Sequence, residues 1–283
     1  MTSEGTPATE EARDGTPPSG HDAALSIDTT VAHVARVYDY WLGGKDNFAA
    51  DRLAGEQAIQ AYPDIVFSVR ANRAFLARTV RYLAREAGIR QFLDIGTGIP
   101  TANNTHEVAQ SVVPGCRVVY VDNDPVVLTH ARALLVSGDQ GLTSYIDADL
   151  RDTERILDQA ALTLDFSQPI AVMLMAILQH IDDAEDPLAI VSRLLGAVPS
   201  GSYLAISHPA TDINSPGVGR LASRLNELMP VKLRFRARAE VARFFDGLEL
   251  VEPGLVRAPE WRPDSDADLD NPAAVWAGVA RKN

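Results

Sequence analysis

Past Gly88 the chain alternates short apolar runs with helix-patterned stretches, and this rhythm restricts the architecture more than any other feature. The runs cover residues 91–95, 117–121, 143–146, 170–174 and 202–207, with helical patterns near 101–111, 125–137, 152–160 and 183–197 between them. Strands this apolar are buried on both faces, and joining parallel strands takes a crossover of a dozen or more residues, here supplied by helices. The alternation therefore predicts an α/β chain: a mostly parallel sheet with helices on both faces. Helical stretches at 216–229 and 238–246, then strand patterns at 248–251 and 275–280, bring the expected strands to seven. The acidic, proline-bearing segment 259–272 reads as a surface loop between the last two.

Upstream the pattern is helical. Val31, Val34, Val37 or Tyr38, and Trp41 share a helical spacing, with an N-cap expected at Asp28-Thr29-Thr30 and a stop at Gly43-Gly44. A second helix over 51–62 stops at Pro63. A third, marked by Ile65, Val69, Phe75, Leu76, Val80 and Leu83, runs to Gly88. Residues 1–27, rich in Thr, Ser, Pro, Gly and Ala without apolar periodicity, read as a disordered tail. The expected division is a tail at 1–27, an N-terminal helical cap at 28–88 and a core at 89–283.

Composition narrows the partners. The longest apolar run, residues 170–178, is nine residues long, against about 20 for a membrane-spanning helix. The start lacks a basic, then apolar leader, and a lone cysteine, Cys116, cannot form an internal disulfide, so a cytoplasmic location is expected. A formal charge of −12 argues against a nucleic-acid footprint, which needs a basic face, and favours a small-molecule partner. Nothing in the sequence sets the oligomeric state.

The chemistry gathers at strand ends. Phe92-Leu-Asp-Ile-Gly-Thr-Gly-Ile-Pro delivers an acid, Asp94, and then a turn in which Gly96 and Gly98 flank Thr97 and let backbone approach a ligand. A dinucleotide fingerprint needs a third glycine where this chain has Thr101. Val118-Val-Tyr-Val-Asp-Asn-Asp-Pro places Asp122 and Asn123 at the end of the second strand, where a carboxylate can accept hydrogen bonds from both ribose hydroxyls. Such an acid suits NAD as well as S-adenosylmethionine. Asp124-Pro125 also makes a helix N-cap with proline at N1.

After the third strand, Ile146-Asp-Ala-Asp-Leu-Arg-Asp forms a polar turn. Asp147 and Asp152 fit a solvated acid and a helix cap there. The fourth strand leads into Ala176 to His180, which should border the site, because ligands sit beyond the carboxyl ends of parallel strands. His180, and His208 at the end of the fifth strand, are candidate general bases; each also fits a histidine bonded to backbone. The histidine and cysteine spacings match no metal site, and neither a phosphate loop nor a G-x-S-x-G elbow is present.

Asp-x-Gly-x-Gly, with its acid inside the strand end, resembles class I methyltransferases that use S-adenosylmethionine. Arg36-Val-Tyr-Asp-Tyr-Trp-Leu-Gly-Gly-Lys-Asp-Asn-Phe-Ala-Ala-Asp-Arg52 narrows the likeness. With that Y-D-Y-W-L-G-G-K-D-N-F block, residues 26–283 resemble a bacterial family of S-adenosylmethionine-dependent methyltransferases with largely undefined substrates. The resemblance implies a Rossmann-like, seven-stranded class I methyltransferase sheet with an N-terminal cap. It puts the amino acid end of S-adenosylmethionine on the turn Gly96, Thr97 and Gly98, the ribose on Asp122, the adenine on Asp149 and Leu150, and the pocket floor on Ala176 and Ile177. Asp94 and Asn123 count among the cofactor-binding residues.

From the cap, Tyr38, Gly43, Gly44, Lys45 and Asn47 are expected over the pocket mouth, and Arg73 on the methionine carboxylate. Tyr38, Trp41 and Phe48 fit simple packing of the cap helix equally well. The implied activity is methyl transfer to an unidentified small-molecule acceptor. A nicotinamide-dependent oxidoreductase and a non-catalytic S-adenosylmethionine-binding regulator stay open beside it.

Overall fold

A computed structural model describes residues 28–127, 129 and 142–283. The tail expected at 1–27, and most of the helix expected at 125–137, lie outside the described residues. The N-terminal region contributes α1 (Val34–Leu42), α2 (Ala49–Ala61) and α3 (Ile65–Arg85). Then come β1 (Gln91–Ile95), α4 (Thr105–Val112), β2 (Arg117–Asp122), β3 (Thr143–Asp147), α5 (Thr153–Ala160), β4 (Ala171–Met175), α6 (Pro187–Ala197) and β5 (Tyr203–Pro209). Past β5 lie α7 (Ser215–Leu228), α8 (Arg238–Ala242), β6 (Glu249–Leu250), β7 (Val256–Arg257) and β8 (Val275–Arg281).

All strands join one sheet in the order β3-β2-β1-β4-β5-β8-β6, with β7 also paired to β8. The first five run parallel, whereas β8 is antiparallel to β5, β6 and β7. The seven expected strands are joined by an eighth, the two-residue β7. Strand order reverses between β1 and β4, and the carboxyl ends of these neighbours open the crevice where α/β sheets bind ligands.

Alternation along each strand divides the core. Leu93, Ile95, Val119 and Val121 point to one face and pack with Ile156 of α5 and Ile190 and Leu194 of α6. Phe92, Val118 and Tyr120 point to the other and meet Phe75, Val80 and Leu83 of α3 and Val108 of α4. Each such side chain contributes about 1.5–3 kcal/mol through burial. A third cluster joins Val37 and Trp41 of α1, Ala54 and Ala58 of α2, and Ile65 and Val69 of α3 to Val218, Leu221 and Leu225 of α7.

Two expectations are corrected. The first helix starts at Val34 after His33, not at 28–30, because the Asp28 carboxylate is occupied in a local turn by the Thr30 N–H and hydroxyl. Gly43 ends it as expected, at φ +82°. The segment 259–272 is not wholly a surface loop. Trp261 is completely buried, edge-on to Phe75 and Tyr82, and Arg78 donates to the carbonyls of Trp261 and Ala258 at 2.9 and 2.7 Å.

Candidate active site

A cavity of about 260 Å³ opens at the carboxyl ends of the parallel strands and reaches under α1, α3 and α7. The β1 turn forms one wall. Gly96 has φ +76°, and a Cβ there would stand 2.5 Å from Ile177 Cγ1, so only glycine fits both the backbone and the neighbour. Gly98 has φ +65° with open space where a Cβ would point, and its N–H donates to Asp122 Oδ2 at 2.8 Å. Between them the Thr97 hydroxyl is buried without a partner among the described residues.

Asp94, on β1, is buried and accepts a 2.6 Å hydrogen bond from the Thr105 hydroxyl. Burial dominates and pushes its carboxyl up to about 6. Asp122 ends β2. Its Oδ1 accepts from the Asp124 N–H at 2.9 Å, each oxygen keeps a further lone pair, and burial again pushes the carboxyl upward. Asp124 caps the following turn through the Val126 N–H at 2.7 Å and lies 2.5 Å from His33 Nδ1, tying the start of α1 to the β2 end.

Asn123 donates to Asp149 Oδ2 at 3.0 Å, joining the β2 and β3 turns. Arg151 holds the other side of Asp149 at 3.1 Å and reaches Glu185 at 2.5 and 3.0 Å and the His180 carbonyl at 2.9 Å. Leu150 is buried in the cavity wall. Asp147 is exposed, and Asp152 caps α5.

Ala176, just after β4, sits at φ +51°, a conformation costing a non-glycine residue about 1 kcal/mol or more. A chain of hydrogen bonds holds it. The Ala176 N–H donates to the Ser207 carbonyl and hydroxyl oxygens at 3.1 and 3.0 Å, and the hydroxyl donates to Asn72 Oδ1 at 2.5 Å. Asn72 Nδ2 donates in turn to the Tyr38 hydroxyl at 2.9 Å, which donates to the Val69 carbonyl. Strain beside the crevice is thereby fixed by α1, α3 and β5 together.

The two candidate bases part company. His180 lines the cavity and its Nδ1 is buried without a partner; burial, then the charges of His33 and Arg151, push its pKa down to about 4, so the ring is neutral. His208 does not border the cavity, contrary to the expectation. It is fully buried, Nδ1 donating to the Pro209 carbonyl at 3.0 Å and Nε2 accepting from Arg236 at 3.0 Å. Burial pushes its pKa down to about 3, and both nitrogens are spent on structure.

The cap candidates also divide. Tyr38 and Arg73 are in the wall, and Arg73 donates to the carbonyls of Ala102 and Asn103 at 3.1 and 3.2 Å with no ion pair among the described residues. Gly43, Gly44, Lys45 and Asn47 are not in the wall. They build the α1–α2 turn. Asp39, buried in α1, accepts from the Asp46 N–H at 3.0 Å and Asn47 Nδ2 at 2.8 Å, and a Cβ on Gly44 would collide with that carboxylate. Arg52 clamps the Asn47 carbonyl at 2.8 Å, and Asp51 accepts from the Phe48 and His33 N–H groups. Lys45 is exposed. The densest polar block of the N-terminal region is a staple for two helices.

Gln179 borders the cavity as the expectation for 176–180 has it, whereas His33, Asn72 and Arg151 border it with no place among the expected site residues. Their signal is assembly across distant segments, which no local spacing carries.

A family model described as S-adenosyl methyltransferase matches residues 20–283. A DUF574 family protein from Streptomyces avermitilis is 48% identical, with a TM-score of 0.88 over 91% of this chain and 100% of that one. A candidate methyltransferase from Thermobifida fusca is 44% identical, with a TM-score of 0.84 over 90% of this chain and 97% of that one. Magnesium protoporphyrin IX methyltransferase from Synechocystis, solved with bound S-adenosylhomocysteine, is 14% identical with a TM-score of 0.50, covering 87% of this chain and 93% of that one, a likeness of fold alone. A search of curated proteins by sequence finds no match.

Proposed function

From the premise that the chain belongs to the S-adenosyl methyltransferase family, matched over residues 20–283, we propose how its cavity performs that activity and on what class of molecule. The protein is an S-adenosylmethionine-dependent methyltransferase of α/β, class I fold. The cofactor supplies a methyl group on a sulfonium sulfur. Methyl transfer from it is an in-line displacement, so the residues mainly orient the reactants and exclude water.

The observation that carries the assignment is the convergence of Asp94, the open Gly98 backbone and Asp122 on one cavity, with the unpartnered Thr97 hydroxyl between them. Asp94 receives the ammonium of the cofactor's amino acid end, and Arg73, free of any carboxylate partner among the described residues, receives its carboxylate. Asp122 accepts the ribose hydroxyls. Asn123 and Asp149 present the polar edge for adenine, with Leu150 against its ring, and Ala176 and Ile177 form the floor.

The acceptor is a small molecule. The charge of −12 supports this over nucleic acid, and the lone, buried Cys116 supports a reducing bacterial cytoplasm. No helix among the described residues is long and apolar enough to cross a membrane. Within this reading residues 36–52 are a family signature, with 28–88 the cap and 89–283 the core.

Asp94 makes the reading testable. With its carboxyl at about 6, it is ionised at pH 8 and becomes protonated below 6, and only the ionised form pairs with an ammonium. Affinity for S-adenosylhomocysteine, measured by calorimetry from pH 8 to 5, should be flat at the upper end and fall below pH 6, approaching about tenfold per pH unit. Asp94→Asn should bind weakly throughout and flatten most of the slope. An affinity independent of pH over that range would sink the role given to Asp94.

A further inference from the structure

The cavity has a second end that the cofactor residues leave unused. Its walls are Tyr62 at the end of α2, Val218, Leu221 and Leu225 of α7, and Met229 and Phe235 beyond that helix. No charged side chain stands among these. The charged groups of the lining come from β1–β3 and the turns after them, from Arg73, from His33 paired with Asp124, and from Asp39, whose carboxylate is occupied by the Asp46 N–H and the Asn47 amide.

Between the two ends lies the turn after β4, because β4 sits between β1 and β5 in the sheet. Two polar atoms on it are buried and unpartnered among the described residues: Gln179 Oε1 and His180 Nδ1. Gln179 is 8% exposed, and its Nε2 donates to the Ala176 carbonyl at 2.5 Å. That bond fixes the amide, since the opposite orientation would set two oxygens against each other. The atom left over is therefore an acceptor. Native structures rarely leave such atoms unsatisfied, and a cavity-lining acceptor without a protein donor marks a place for a ligand's donor.

We propose that the apolar end is the acceptor chamber, and that its occupant is an uncharged, largely apolar alcohol or phenol whose hydroxyl donates to Gln179 Oε1 and is the group methylated. The inference rests on the methyltransferase reading above. An ammonium or carboxylate brought into these walls would lose its hydration with no countercharge to replace it. In the transfer, a lone pair of the hydroxyl oxygen forms the new O–C bond and the S–C bonding pair stays on sulfur, leaving a neutral thioether. As the new bond forms, the proton that the hydroxyl had donated to Gln179 Oε1 leaves the oxygen for the ring of His180, the titratable neighbour on the same turn, which becomes an imidazolium. His180 is a weak base, which suffices because the oxygen becomes strongly acidic as its new bond forms.

The probes are 2-naphthol, 2-methoxynaphthalene and 2-naphthoate, titrated into protein saturated with S-adenosylhomocysteine. The naphthol should bind about tenfold or more tightly than either of the others, the ether lacking the donor and the naphthoate carrying a charge. Gln179→Leu should erase the preference, leaving naphthol and ether with equal affinity, while retained binding of S-adenosylhomocysteine reports that the variant is folded. Absence of naphthol binding, equal affinity for naphthol and ether, or preference for naphthoate would each overturn the proposal on the wild-type protein alone. Failure to load S-adenosylhomocysteine in the first place would instead strike the cofactor assignment.

Discussion

Trp261→Ala is expected to lower the free energy of unfolding by about 3–5 kcal/mol, the range for emptying a large aromatic site in a core. Trp261 is fully buried, with ring centroids 5.4 Å from Phe75 and 5.8 Å from Tyr82 in edge-on geometry. It wedges the 258–262 segment between α3 and the sheet, and Arg78, itself buried, is anchored on the carbonyl of the same residue. One term works the other way. The indole N–H has no partner among the described residues, so truncation also removes an unsatisfied donor, and the loss should fall toward the lower end. Trp261→Phe, which keeps a ring and drops that donor, should cost distinctly less. Denaturant unfolding of the three proteins gives the comparison, and equal stability of wild type and Trp261→Ala would show that the segment is not a core element. Trp261 does not border the cavity, so the folded alanine variant should retain its affinity for S-adenosylhomocysteine.

Asp122→Ala should weaken cofactor binding by about 1–3 kcal/mol, roughly five- to more than a hundredfold in Kd, through loss of charge-assisted hydrogen bonds. Two effects add. The carboxylate is the ribose acceptor, and it also holds the Gly98 and Asp124 N–H groups at 2.8 and 2.9 Å, fixing the β1 turn against the β2 end. His180→Ala should leave cofactor affinity nearly intact, since its ring is given no part in holding the cofactor. Calorimetry with S-adenosylhomocysteine on both variants separates the roles, and equal losses would contradict the division drawn here.

The parallel strands were legible because each is a short, continuous apolar run bounded by turns, a signal that survives without any tertiary context. β7 was not, because two residues paired only with β8 have no period to read. Trp261 escaped for a related reason: one aromatic among acids and prolines carries no pattern, and its burial is decided by Phe75 and Tyr82, nearly two hundred residues away in the chain. The glycine turn announced itself because its constraint is local, a positive φ and a tight approach encoded in Gly96 and Gly98 themselves. The block around Asp39, Gly44 and Asn47 was legible as unusual yet misplaced in role. Small and polar residues in a turn look alike whether they face a ligand or a neighbouring carboxylate, and here Asp39 is the neighbour. His208 was misplaced because a strand end is a rim only if nothing covers it, and Arg236 covers it. Asn72 became part of the site only through its folded neighbour, the Ser207 hydroxyl, whereas Gln179 was expected at the site within 176–180 and only its amide orientation, set by the Ala176 carbonyl, was not legible.

The central claim is that the Asp94 to Gly98 turn and Asp122 hold S-adenosylmethionine. Thermal unfolding of the protein alone and with S-adenosylmethionine, S-adenosylhomocysteine or NADH tests it most directly, because a ligand at 100 times its Kd adds about 2.7 kcal/mol of stability. The account predicts a raised midpoint with the first two ligands and none with NADH. A rise with NADH alone, or no rise with either sulfur ligand, would contradict it.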